Sequence, residues 1–398
     1  MPGLGETTAG LAQIRKVRAQ QLDAGGDAGL TEVRGFGANP GGLRMLAYLP
    51  EGLARKSALV VVLHGCTQRA GAHARAAGWL ALADRLDFAL LAPEQTSQNN
   101  PNRCFNWFEP GDIARGAGEA ASIHAMIQHM LRTHHLDADR VFITGLSAGG
   151  AMTSVLLAVY PETFAAGAVV AGLPFGVAGN VQEALVAMRG GARRSRRELG
   201  ALVARAAPTP RRRPRLAIWH GQADGVVASA NAEALASQWA AVHGLAEQPD
   251  EVVARGGWSR SVWRAANGEA AIEANLLAGL GHGTPLAAGG DDPIGEVALF
   301  MLEAGVSSSL EIARFWGLEP PEPAAKAEAC LPAEAEPAAP PAEVPEVVAA
   351  FSPPRCEPPR VKAVGRLGES IMALVSPHVS GNIRKLIAKA LASAGLMS

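Results

Sequence analysis

Five short apolar runs punctuate the chain, at residues 59–63 (LVVVL), 88–92 (FALLA), 141–144 (VFIT), 168–171 (AVVA) and 216–219 (LAIW). They are apolar at consecutive rather than alternate positions and too brief for helices. That pattern predicts strands buried on both faces. Between the second and third runs, Ile123, Met126, Ile127, Met130 and Leu131 recur at i, i+3, i+4, i+7 and i+8. This is the apolar face of one helix. Strands alternating with helices predict an α/β domain, a mostly parallel sheet with helices on both faces. Open sheets of this kind bind ligands beyond the carboxyl ends of their strands, so the segments that follow the runs are where chemistry is expected.

Outside this alternation the composition changes. Residues 320–360 hold 12 of the 27 prolines, mixed with Ala and Glu. Proline fixes φ and lacks an amide donor, so this stretch reads as an extended linker. The expected organisation is an N-terminal helical extension (1–29, with Leu11, Ile14 and Val17 at helix spacing), a folded α/β domain (30–318), a Pro/Ala/Glu-rich linker (319–360) and a tail (361–398). In the tail, Ile383, Leu386, Ile387, Ala390 and Leu391 line one helix face, while Arg384, Lys385 and Lys389 occupy others. A basic amphipathic helix on such a tether is suited to peripheral contact with a membrane or a polymer granule, or to folding back on its own domain.

Charge narrows the function classes. Lys plus Arg total 36 against 37 Asp plus Glu, for a net charge of −1. This balance argues against nucleic acid as a partner. No apolar run is long enough for a membrane span. The beginning of the chain shows no apolar stretch behind a basic start, which at face value predicts a cytoplasmic protein. The four cysteines, at 66, 104, 330 and 356, offer no CxxC pair and no expected metal site.

The run at 141–144 leads into Gly145-Leu146-Ser147-Ala148-Gly149 and then an apolar helix. GxSxG between strand and helix is a nucleophile elbow, and the Ala148 amide that opens the helix can face developing negative charge. A serine hydroxyl needs a base, and in this arrangement an acid and then a histidine follow it along the chain. Asp224 lies on the loop after 216–219, and His282 lies in a glycine-rich loop after a further apolar segment at 271–277. His64 and His220 precede glycines at strand ends and are expected to position loops. His124, His129, His134 and His135 belong to one helix, and Asp291 and Asp292 come in the wrong order. The second oxyanion donor is expected from the loop after 59–63, as the Cys66 amide.

Taken together, LHGCTQ (63–68), NPNRCFNWF (100–108), DADRVFITGLSAGGAM (137–152), WHGQAD (219–224) and GLGHGTP (279–285) resemble the poly(3-hydroxybutyrate) depolymerase-like esterases, with their feruloyl and acetyl-xylan esterase relatives. The resemblance implies an α/β-hydrolase fold and hydrolysis of an ester substrate through an acyl-enzyme, with no cofactor and no metal. It assigns Ser147 as nucleophile, Asp224 as acid, His282 as base, and Cys66 and Ala148 as oxyanion amides. Trp107 falls on the aromatic of the substrate-side loop. It also suggests an extracellular or periplasmic setting, where Cys66 and Cys104 could pair; in the cytosol they would stay thiols.

No Thr-rich or fibronectin-like linker with a polymer-adsorbing β domain is evident. Soluble hydroxyalkanoate oligomers and aryl esters are therefore expected substrates as much as solid polymer. A serine peptidase or thioesterase uses the same three side chains, and a granule- or membrane-associated binding protein is the non-enzyme alternative. Residues 172–215, rich in arginine, read as a solvated cap insertion.

Overall fold

The computed structural model describes residues 29–190, 193–210, 212–289 and 293–319. The segments expected to form the N-terminal helix, the linker and the tail lie outside the described residues, as do Asp291, Asp292, Cys330 and Cys356. The chain opens with β1 (Thr31–Val33), β2 (Arg44–Tyr48) and β3 (Leu59–Leu63), followed by α1 (Ala70–Ala76) and α2 (Trp79–Leu86). Next come β4 (Ala89–Glu94), α3 (Pro110–Ile113), α4 (Gly118–His134), β5 (Val141–Leu146), α5 (Ala148–Val159) and β6 (Ala166–Val170). Then follow α6 (Val181–Gly190), α7 (Arg196–Ala206), β7 (Arg215–Gly221) and α8 (Ala230–His243). The described part ends with β8 (Glu251–Arg255), β9 (Trp258–Arg264), β10 (Ala270–Leu277), β11 (Thr284–Leu286), β12 (Met301–Glu303) and α9 (Ser308–Trp316).

Ten strands form one sheet in the order β1-β2-β4-β3-β5-β6-β7-β10-β9-β8. The six from β4 to β10 in that order run parallel, and an antiparallel pair finishes each end. Alternate residues of each central strand feed two cores. Leu59, Val61 and Leu63 of β3 face one layer with Ile123, Met126, Ile127 and Met130 of α4. Val60 and Val62 face the other, with Trp79, Leu82 and Trp316. This two-sided burial is why β3 reads as an unbroken apolar run.

The segment at 172–215 is not a detached cap. It contains the crossover helices between β6 and β7, and α7 buries Leu199 and Val203 beside α8. Gln238 of α8 ties the layer together, donating to the carbonyls of Phe175 and Leu199 at 3.0 and 3.1 Å and accepting from the Phe175 amide at 3.0 Å. Phe175 is buried accordingly. Much of the segment is nonetheless exposed as expected, including Val181, Leu185 and Val186 of α6 and the arginines Arg193, Arg194 and Arg197 around the start of α7.

Candidate active site

Ser147 joins β5 to α5 at φ 57° and ψ −116°, backbone that an L-residue adopts only under constraint. Such conformations cost about 1–3 kcal/mol and are over-determined by their surroundings. Here the constraint is close packing of glycines. A Cβ on Gly145 would lie 2.4 Å from the Gly149 carbonyl, and one on Gly149 would lie 2.4 Å from the Leu63 carbonyl oxygen. The first turn of α5 can therefore press against the ends of β3 and β5, and the Ser147 amide is held by Val170 O at 2.9 Å.

Asp224 and His282 are brought together by neighbouring strands. β7 and β10 pair in parallel, with Gly221 opposite Leu277, so the loops that follow leave the sheet side by side. Gly221 has no room for a side chain, because a Cβ there would lie 2.3 Å from Leu280 O. The Ala223 amide donates to the same carbonyl at 3.0 Å. At the end of this scaffold, His282 Nδ1 is 2.7 Å from Asp224 Oδ2 and its Nε2 is 3.0 Å from Ser147 Oγ. A carboxylate only accepts, so Nδ1 carries the proton and Nε2 is left to accept from the serine hydroxyl.

Asp224 is held by more than His282. Its Oδ1 accepts from the Val226 and Val227 amides, each at 2.8 Å, and His220 Nε2 lies 3.3 Å from Oδ2. Burial pushes this carboxyl up, but the bonds from His220, His282 and the Val227 amide outweigh it and hold its pKa well below the usual carboxylate range. Asp224 is therefore ionised at neutral pH, the state in which a carboxylate can orient an imidazole. Chemically, the three side chains can take a proton from a hydroxyl and return it to a leaving group.

The loop after β3 lies beside this relay, since Gly149 also packs against the His64 carbonyl, with only 2.5 Å available to a Cβ. The starts of the Cys66 loop and of α5 are thus neighbours, which brings together the regions of the Cys66 and Ala148 amides. Cys66 is disulfide-bonded to Cys104, with a Cα–Cα distance of 4.3 Å. Trp107, expected at the substrate side, is only 6% exposed and packs edge-on against Phe108 at 5.2 Å, within the core on one sheet face.

The sequence reading missed the polar scaffold beneath this loop. Glu119 is buried at the start of α4 and accepts from the Asn106 amide at 2.9 Å and from the Gln95 amide nitrogen. Gln95 also donates to Cys104 O at 3.2 Å, and Asn99 donates to Gly41 O at 2.6 Å. Burial pushes the Glu119 carboxyl up to about 8. A signal was present: Glu119 lies four residues before Ile123, on the apolar stripe of α4, where a charged residue needs a buried partner.

Comparison with known proteins agrees with this architecture. The family model described as Esterase PHB depolymerase matches residues 43–261. Poly(3-hydroxyalkanoate) depolymerase C of Paucimonas lemoignei is 42% identical over 292 residues, covering 73% of this chain and 70% of the relative. Feruloyl esterase B of Talaromyces funiculosus is 31% identical over 267 residues, covering 65% of this chain and 74% of that enzyme. Among solved structures, an acetyl xylan esterase from Aspergillus awamori superposes with a TM-score of 0.62 at 22% identity, over 73% of this chain and 99% of that one, and shares the fold. With its α/β-hydrolase sheet and a family match over more than half its length, the chain belongs to the Esterase PHB depolymerase family of carboxylic ester hydrolases.

Proposed function

We propose that the protein is a serine esterase in which Ser147 is the nucleophile, His282 the general base and Asp224 the acid that orients it. The observation that carries this reading is the Ser147–His282–Asp224 relay, with contacts of 3.0 and 2.7 Å. Ser147 Oγ attacks the ester carbonyl carbon while its proton passes to His282 Nε2. Negative charge gathers on the carbonyl oxygen, which the Cys66 and Ala148 amides receive. Collapse of the tetrahedral intermediate expels the alcohol, which takes the proton from His282 and leaves an acyl-serine. Water then attacks the acyl carbon, giving its proton to His282. The second intermediate releases the carboxylic acid, and Ser147 Oγ recovers the proton.

The substrate class we favour is the ester of a short hydroxyacyl group, followed by aryl acyl esters. The first rests on the 42% identity to a depolymerase, the second on the feruloyl esterase relative. The Cys66–Cys104 bond favours an oxidising compartment over the cytosol.

Hydrolysis of p-nitrophenyl butyrate, hydroxybutyrate oligomers, methyl ferulate and a peptide anilide tests the reading. Ester turnover that disappears in Ser147→Ala, with a fluorophosphonate adduct on Ser147 of the unaltered protein, is the expected result. Full ester turnover by Ser147→Ala would refute it.

A further inference from the structure

We propose that the cavity between β8, β9 and α9 is a binding site for a small aromatic monocarboxylate, with Trp258 stacking on the ring and Arg255 and Arg260 receiving the carboxylate. The proposal goes beyond the esterase reading and does not depend on it. The cavity measures about 240 Å³ and is lined by Val253, Arg255, Trp258, Arg260 and Glu311. Four of these five form one block on the sheet. Across the β8–β9 ladder, Arg255 stands opposite Trp258 and Val253 stands opposite Arg260. Directly opposed residues of an antiparallel pair point to the same face, and diagonal neighbours lie about 7–8 Å apart. The two arginines occupy one diagonal of the block, and the indole and Val253 occupy the other. Glu311 comes from α9, whose Ile312, Ala313 and Trp316 belong to the core layer that Trp258 joins.

The indole is set in place by the fold. Trp258 stacks on Trp219 at 5.5 Å, and its Nε1 donates to Asn275 Oδ1 at 3.1 Å. One ring face and the single polar atom of the side chain are thereby taken. What it still offers the cavity is apolar ring surface. Asn275 is fully buried and stands opposite Arg260 in the β9–β10 ladder. Its Nδ2 has no hydrogen-bond partner, so this face of the sheet also keeps an unmet donor.

The guanidiniums are unsatisfied. Among the described residues neither Arg255 nor Arg260 makes a hydrogen bond or ion pair, whereas Arg264 of the same strand as Arg260 is tied to Glu251 at 2.7 Å. Two further acids face this region. Glu311 gives Oε1 to Arg314 at 2.7 Å. Glu273 lies on the same face as Asn275, and burial pushes its carboxyl up, toward the neutral form, against the attraction of Arg260.

These features select a ligand by size, shape and charge. Sites for drug-sized molecules begin at roughly 300 Å³. The cavity falls below that, so it suits a single small ring rather than a polymer segment. An indole face favours a flat apolar body. A planar guanidinium fork matches a carboxylate. Glu311, in the same cavity, repels a second negative charge, which disfavours a phosphate dianion.

Isothermal titration calorimetry of the full chain with cinnamate is the test. Cinnamamide keeps the ring without the charge, while 3-hydroxybutyrate and inorganic phosphate keep charge without the ring. Cinnamate should bind saturably, and each of the other three about 10-fold or more weakly. Arg255→Gln and Arg260→Gln should each weaken cinnamate by about 10-fold or more, as loss of a hydrogen bond to a charged group does. Their circular-dichroism spectra and thermal midpoints should stay unchanged. Trp258→Leu should remove the preference for cinnamate over 3-hydroxybutyrate. Because Trp258 also packs on Trp219, that variant is read beside the arginine variants, whose guanidiniums hold nothing in the fold. Three results overturn the proposal: no saturable binding of cinnamate, cinnamate affinity unaltered in both arginine variants, or phosphate bound as tightly as cinnamate, the mark of a plain anion patch.

Discussion

Replacing Gly149 with alanine places a new methyl carbon 2.4 Å from the Leu63 carbonyl oxygen and 2.5 Å from that of His64. Both obstacles are backbone at the end of a central strand, so neither can swing aside. Ordinary contact begins at 3.4 Å. The first turn of α5 must therefore back away by about 1 Å, and Ser147 and the Ala148 amide move with it. A misplacement of about 1 Å at reacting groups can cost on the order of 100-fold in rate. Overpacking a tight interior adds about 1–3 kcal/mol of destabilisation. The expected outcome for Gly149→Ala is a fall in kcat of roughly 100-fold on p-nitrophenyl butyrate, with a folded circular-dichroism spectrum and a lowered thermal midpoint. A variant within about threefold of the parent kcat and with an unshifted midpoint would show that helix and strand are not in register-fixing contact, which refutes the steric reasoning.

Three further outcomes follow from the same geometry. Asp224→Asn sets an amide where His282 Nδ1–H needs an acceptor, so kcat should drop on the order of 10⁴-fold while the fold persists; near-normal rates would assign the orienting role to another carboxylate. Joint replacement of Cys66 and Cys104 by serine opens a loop whose ends are 38 residues apart, which by loop entropy removes about 4 kcal/mol of stability. Calorimetry should register it as a lower midpoint, and an unchanged midpoint would show that the bond contributes nothing. Glu119 gives a pH signature of definite sign. Unfolded, its carboxyl ionises around 4.5; folded, it keeps its proton up to about 8. Between those values the folded state binds more protons, so stability falls as pH rises, by up to several kcal/mol. Glu119→Gln should flatten denaturant midpoints measured from pH 5 to pH 8, and an equal slope in both proteins would assign the loss elsewhere.

The parallel strands were legible because burial on both faces leaves consecutive apolar residues, as in β3 and β4. The elbow was legible for a different reason: Gly145 and Gly149 are dictated by contacts in which a side chain has no room. What escaped was structure without periodicity. The antiparallel end strands carry no apolar run: β2 is buried only at its three central residues, β8 is exposed after its first residue, β9 is buried only at Val262 and Trp263, and the three contain Arg44, Arg255, Arg260 and Arg264. The short strands β11 and β12 are three residues each. The Gln95–Glu119–Asn106 network depends on partners far apart in sequence, so spacing alone could not join them. The glycines that follow His64 and His220 mark them as loop-positioning residues, but which atom each one grips appears only with the fold in hand.

The antiparallel ends of the sheet bear on how the molecule behaves in crowded solution. An edge strand offers unpaired amides and carbonyls to any passing chain, and parallel strands as apolar as β3 would make a sticky template for one. Here those strands lie inside the order, and the edges fall to β1, only three residues long, and to β8. β8 exposes Val252 and Val253, but Glu251 and Arg255 bracket them, and Glu251 is tied across to Arg264 of β9 at 2.7 Å. A strand approaching this margin would have to desolvate charge before it reached backbone. The sheet can therefore carry a long apolar interior without recruiting further copies of itself edge to edge.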